Sequence, residues 1–169
     1  PRQTAQQKAR AKFAESSHAT RRRLEAMLAT EELSDRDWNA VSEAMQSPDP
    51  WIRYAARCVA ERQPRDQWQR FLSSTRQSPP AEAFMMLART KDDTLSRSCL
   101  EKMNQVEWST LDPGQERAVA YSYWLCLRTL KSAEGPAVQT LRQQTLGRLA
   151  KVYPRNDYQV DQWLSEILI

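Results

Sequence analysis

Residues 45–60 read Met45-Gln-Ser-Pro-Asp-Pro-Trp-Ile-Arg-Tyr-Ala-Ala-Arg-Cys-Val-Ala, and this stretch decides the fold. Ser47-Pro48-Asp49-Pro50-Trp51 is a turn that opens a helix. The Asp49 side chain is suited to accept hydrogen bonds from the first free backbone N–H groups. Pro50 fits the first helical position, where its missing N–H costs nothing. Ile52, Ala55, Ala56, Val59 and Ala60 recur at helical spacing and form the buried face. Arg53 and Arg57, four residues apart, are expected on its rim. The small alanines let another helix come close, so the face is built for packing.

The same punctuation recurs on both sides. Upstream, 1–30 is rich in Ala, Gln, Lys and Arg, and its apolar residues concentrate at Leu24, Met27 and Leu28. The earlier part of this helix is expected to fray or to pack on something beyond the fragment. Ser34, with Asp37 three residues on, opens a helix buried through Trp38, Val41 and Met45. Downstream, Gln63-Pro64 stops the chain before a short helix carrying Trp68, Phe71 and Leu72. Ser78-Pro79-Pro80, Asp92-Asp93 and Asp112-Pro113 each start a further helix, and the one after Asp112 is apolar on nearly every face. Gly135-Pro136 and Tyr153-Pro154 break the chain before the last two, and Val160, Trp163, Leu164, Ile167 and Leu168 make a strong stripe at the end.

The helices are expected to pair as hairpins: 34–46 with 50–63, 79–90 with 93–105, and 112–130 with 136–152. Successive pairs start 45 and 33 residues apart, within the range of helical repeats. No segment alternates apolar and polar residues as a half-buried strand does. Three glycines in 169 residues argue against a β-sandwich or barrel, and there is no Gly-rich phosphate loop. The expected fold is therefore all-α, an α-solenoid of antiparallel helix hairpins. Its divisions are a basic N-terminal helix, 1–30, and a repeat domain, 31–169.

The net charge of +4 is unevenly placed. Residues 1–30 hold seven basic and two acidic side chains, whereas the other 139 hold 18 and 19. A neutral body argues against a nucleic-acid groove, which needs positive charge along the fold. Cys58, Cys99 and Cys126 lie 41 and 27 residues apart, a spacing of no zinc or redox motif, and read as buried inert thiols. The longest apolar run, Ala118–Leu127, is too short to span a membrane. No signal peptide is seen, and a start at Pro1 with an apolar stripe running into Ile169 leads us to expect a fragment of a longer chain.

The 45–60 stretch resembles the inter-helix turn of HEAT repeats. Asp49-Pro50 matches the turn, Ile52-Arg53 the apolar-Arg pair, and Ala55-Ala56 the small residues; Asp92-Asp93, Leu95 and Arg97 form a degraded second copy. Arg21-Arg-Arg-Leu-Glu25, Trp51-Ile-Arg-Tyr-Ala-Ala-Arg57, Glu61-Arg-Gln-Pro64 with Trp68, Val106-Glu-Trp108, Val152-Tyr-Pro154 and Trp163-Leu-Ser-Glu-Ile-Leu168 are similar to a HEAT-like segment of large exported proteins of planctomycete-type bacteria. There it stands between a dehydrogenase-like propeller and a cytochrome c domain. The resemblance implies a spacer or docking module between redox domains in an exported or periplasmic protein, and transfers no activity.

Catalytic constellations are absent from this reading. The single histidine, His18, sits in a polar stretch and reads as a surface residue. The acid pairs Glu31/Glu32 and Asp92/Asp93 point in different directions on a helix and suit caps better than a glycosidase dyad. Of tryptophans 38, 51, 68, 108, 124 and 163, five have a helical apolar neighbour that explains them as packing. Trp51 is the exception, placed for exposure beside Arg53. Asp49, Trp51 and Arg53 could imitate the pocket of a HEAT-like DNA glycosylase, where such groups converge from separate repeats. The expected function is a scaffold for protein–protein or interdomain contacts, with no catalytic, cofactor-binding or metal residues and no membrane insertion. Nucleic-acid binding is the competing reading.

Overall fold

The computed structural model describes residues 4–73 and 79–169, and the backbone alone for 5–14. The basic residue Arg2, the side chains of Lys8, Arg10 and Lys12, and the helix-starting role assigned to Ser78 lie outside the described residues. Among those described there are helices and turns but no strand, so the protein is all-α. It divides into two compact units, 1–65 and 66–169.

The first unit holds α1 (Ala5–Met27), α2 (Asp35–Ala44) and α3 (Pro50–Glu61), with α3 packed on both others. Its buried side chains include Leu24, Met27, Trp38, Val41, Ile52, Ala56, Val59 and Ala60. Each large aliphatic buried this way contributes about 1.5–3 kcal/mol. The caps are the ones the sequence dictates. Ser34 Oγ accepts from the Asp37 N–H at 3.3 Å and donates to the Asp37 carboxylate at 2.7 Å. Asp49 Oδ1 accepts from the Trp51 N–H at 2.9 Å, with Pro50 at the first position.

Arg53 does not sit on the rim. It is buried, and its Nη1 donates to the Ser47 carbonyl at 2.8 Å and the Pro48 carbonyl at 3.4 Å. The guanidinium thus satisfies carbonyls that the Pro48/Pro50 turn leaves without helical partners. Gln63, also buried, closes the other end: its Nε2 donates to Thr30 O at 3.2 Å and its Oε1 accepts from Leu33 N at 3.0 Å.

The second unit contains α5 (Arg70–Ser73), α6 (Ala81–Ala88), α7 (Asp93–Met103), α8 (Pro113–Thr129), α9 (Pro136–Val152) and α10 (Tyr158–Leu168); α4 (Arg65–Trp68) straddles the boundary. Here α6 packs on α8 and α8 on α10, while α5 packs on α7 and α7 on α9. Contacts of α6 with α7, α7 with α8 and α9 with α10 join the two series. Val119, Ala120, Tyr123 and Cys126 of α8 are fully buried. Asp112 and Gln115 make a reciprocal capping box at its start, each bond 2.9 Å.

One expected hairpin is not formed as drawn. Helix α9 packs on α7 and α10 rather than chiefly on α8. The 3₁₀ turn Leu130–Ser132, anchored by fully buried Leu130, carries the chain across to α7. Gly135 then turns it with φ near 118°, a conformation open to glycine, and Pro136 starts α9. Two bonds from α9 fix the result: Asn104 Nδ2 donates to Thr145 Oγ1 at 2.9 Å, and Arg148 Nη2 donates to Val106 O at 2.6 Å.

Candidate interaction surface

Five of the tryptophans are accounted for by packing. Trp38, Trp68 and Trp108 are buried, and Trp108 stacks on Tyr123 with centroids 6.2 Å apart. Trp124 and Trp163 are half-buried in a clasp between α8 and α10. Tyr121 stacks on Trp124 at 5.8 Å and meets Trp163 at 5.1 Å, and the Arg128 guanidinium lies 4.5 Å from the Trp124 ring centroid. Trp124 Nε1 donates to Glu166 at 2.7 Å. The Tyr121 stack, the Arg128 guanidinium and a bonded indole nitrogen leave Trp124 satisfied by its own neighbours.

Helix α3 differs. Trp51 is 71% exposed and Tyr54, one turn on, 53%. These rings occupy the side of the helix opposite Ile52, Ala56 and Val59. Arg57 lies 5.1 Å from the Tyr54 ring centroid and pairs with Glu61 at 3.5 Å. The Tyr54 hydroxyl meets the Cys58 thiol, and that hydrogen bond holds the phenol above its ordinary pKa. Cys58 is half-buried rather than buried as expected. Asp49, Trp51 and Arg53 do not converge: Asp49 caps the helix, Arg53 turns inward, and Trp51 faces solvent.

The remaining candidates are placed as follows. His18 is exposed. Asp92 caps α7, accepting from Leu95 N at 2.8 Å, whereas Glu31 and Glu32 stand exposed in the bend before Ser34 and cap nothing. Cys99 and Cys126 are buried and meet across α7 and α8; the bond to Cys126 and the burial push the Cys99 thiol far up. A shallow pocket of about 330 Å³ between α5 and α7 is lined by Gln69, Ser73, Thr94, Ser98 and Glu101, none of them buried. Among the described residues no cluster of His, Cys, Asp and Glu could hold a metal ion, and no helix is long and apolar enough to cross a membrane.

Tyr54, an aromatic three residues after Trp51 and out of phase with the buried stripe, is a sequence signal for a second face of α3. The Asn104–Tyr123–Thr145 network carried no local signal, because its members stand 19 and 41 residues from Asn104. No family model, curated protein or solved structure matches this chain.

Proposed function

We propose that the chain is a non-catalytic scaffold, a HEAT-like solenoid of helix hairpins that mediates contacts between proteins or domains. One observation carries the reading: from α5 onward, helices pack on the helix two places along, α5–α7–α9 in one series and α6–α8–α10 in the other. Stacked hairpins produce this step, because each hairpin has an apolar face that only the next can cover. Helix α1 takes the same step to α3. The Arg53 bond to the Ser47 carbonyl supports the kinship with HEAT turns suggested by Asp49-Pro50 and Ile52-Arg53. The work is geometric: a stiff stack holds surface side chains at fixed spacing. The resemblance to exported planctomycete-type proteins makes a spacer between redox domains the natural setting.

Cross-linking mass spectrometry of the protein in its native cells tests the role. The reading expects cross-links from this chain to a partner protein or to other domains, and no tight duplex-DNA gel shift at low salt for a variant with the exposed Arg21, Arg22 and Arg23 changed to Gln. Salt-sensitive DNA binding that survives those substitutions, or turnover of any substrate by this chain, defeats it.

A further inference from the structure

We propose that Cys99 and Cys126 form a latent disulfide, a dithiol that a low-molecular-weight or protein disulfide oxidises to a covalent staple between α7 and α8. The pair plays no part in the scaffold reading. Helix α7 packs directly on α8, both cysteines are fully buried, and their thiols are hydrogen-bonded to each other. Ser96 stands one turn before Cys99 and Ser122 one turn before Cys126, and both are fully buried. Small side chains beside each thiol let the backbones approach the Cα separation of about 4.4–6.8 Å that a disulfide requires. Cys58 has a different partner: it belongs to the first unit and bonds the Tyr54 hydroxyl.

The structure shows the reduced form, with all three cysteines free. Oxidation removes two hydrogens from the pair. One cysteine thiolate attacks the incoming disulfide, forming a mixed disulfide and releasing one thiol. The second cysteine then attacks the sulfur of the first, which closes the Cys99–Cys126 bond and releases the other thiol. The S–S bond of the oxidant is thereby reduced to two thiols, so electrons and protons balance. In the folded protein, burial and the mutual hydrogen bond keep Cys99 protonated and out of reach. The exchange therefore runs while the chain is unfolded or open, and the closing of α7 on α8 selects the product. The bond links residues 27 apart, which narrows the unfolded ensemble and favours the folded form on the order of a hundredfold.

Refolding of the reduced, urea-unfolded full chain in a buffer of oxidised and reduced glutathione tests this. Trypsin cleaves at Lys102 and Arg117, between the two cysteines, so peptide mapping without reduction reads the link directly. The dominant product is expected to join Cys99 to Cys126 and to leave Cys58 outside the link, and C58S should give the same product. Placed in the same buffer while folded, the reduced protein should acquire the bond about tenfold more slowly or worse. In urea unfolding, the oxidised protein should show a folded-to-unfolded ratio on the order of a hundredfold above the reduced one. Glutathione adducts in place of the bond, a dominant link to Cys58, equal oxidation rates folded and unfolded, or an oxidised form no more stable than the reduced one would each overturn the proposal.

Discussion

Asp157 divides its two oxygens between two elements: Oδ2 accepts from Arg117 Nη2 at 2.7 Å and Nε at 3.0 Å, while Oδ1 accepts from the Gln159 and Val160 N–H groups, each at 3.1 Å. One carboxylate therefore caps α10 and ties its start to α8. The Arg117 bonds hold Asp157 below its ordinary pKa, helped by the Val160 N–H, and the same contact raises Arg117.

From this follows a pH-dependent loss. A carboxyl with a depressed folded pKa contributes stability above its unfolded pKa, near 3.9, and loses it as pH falls through the folded value. Stability should decline on acidification below about pH 4. Asp37, lowered by its Ser34 bond, adds in the same direction. D157A should cost about 1 kcal/mol at pH 7 through the lost cap, and D157N less, because Asn still caps. Urea unfolding at pH 7 and pH 3 checks this: the gap between wild type and D157N should narrow at pH 3. A gap unchanged by pH would mean the charge does nothing.

Arg53 is the second test, because its role is inverted from the rim position its spacing suggested. R53A should destabilise the first unit by about 2–4 kcal/mol, since turn carbonyls lose a charged donor within a buried site. R57A should cost less, about 1–2 kcal/mol, because Arg57 is mostly buried against Tyr54 but pairs with a Glu61 that is partly exposed. Equilibrium urea unfolding of the two variants decides it. Equal costs would put Arg53 back among surface side chains.

Much of this fold was legible because its signals are local. Asp49-Pro50, Asp112-Pro113 and Gly135-Pro136 each mark a helix start through backbone chemistry confined to a few residues, and the apolar stripes place the buried faces. What was not legible depends on which helix a face meets. Sequence order suggests that α9 folds back on α8; only the burial of Leu130 and the Asn104–Thr145 and Arg148–Val106 bonds send it to α7. The interaction surface was half legible. Trp51 stood out by its turn position, whereas an Arg that satisfies a turn and an Arg that borders a face look alike at four-residue spacing.

The thiols should separate by location. Cys58 is half-buried on α3, and Cys99 and Cys126 are fully buried. Native protein is expected to react with a thiol reagent at one site, Cys58, and at all three only in denaturant. Peptide mapping after brief maleimide treatment identifies the site. Rapid native labelling of Cys99 would contradict the packing of α7 on α8.

The interior network around Tyr123 gives the sharpest test of the second unit. Tyr123 is fully buried, its hydroxyl donates to Asn104 Oδ1 at 3.3 Å, and Asn104 Nδ2 donates to Thr145 Oγ1 at 2.9 Å. Burial pushes the phenol well above its ordinary pKa, so it serves as a neutral donor across the physiological range. Asn104 links the end of α7 to both α8 and α9, and the two outer residues act on one amide. Y123F and T145V should each cost about 1 kcal/mol, and the double variant should cost less than their sum by about 0.5 kcal/mol or more. The second loss is smaller because the first already frees the amide to shift. Denaturant unfolding of the four proteins measures that coupling. Strict additivity would mean that α9 is held by apolar packing alone and that the amide is a passenger.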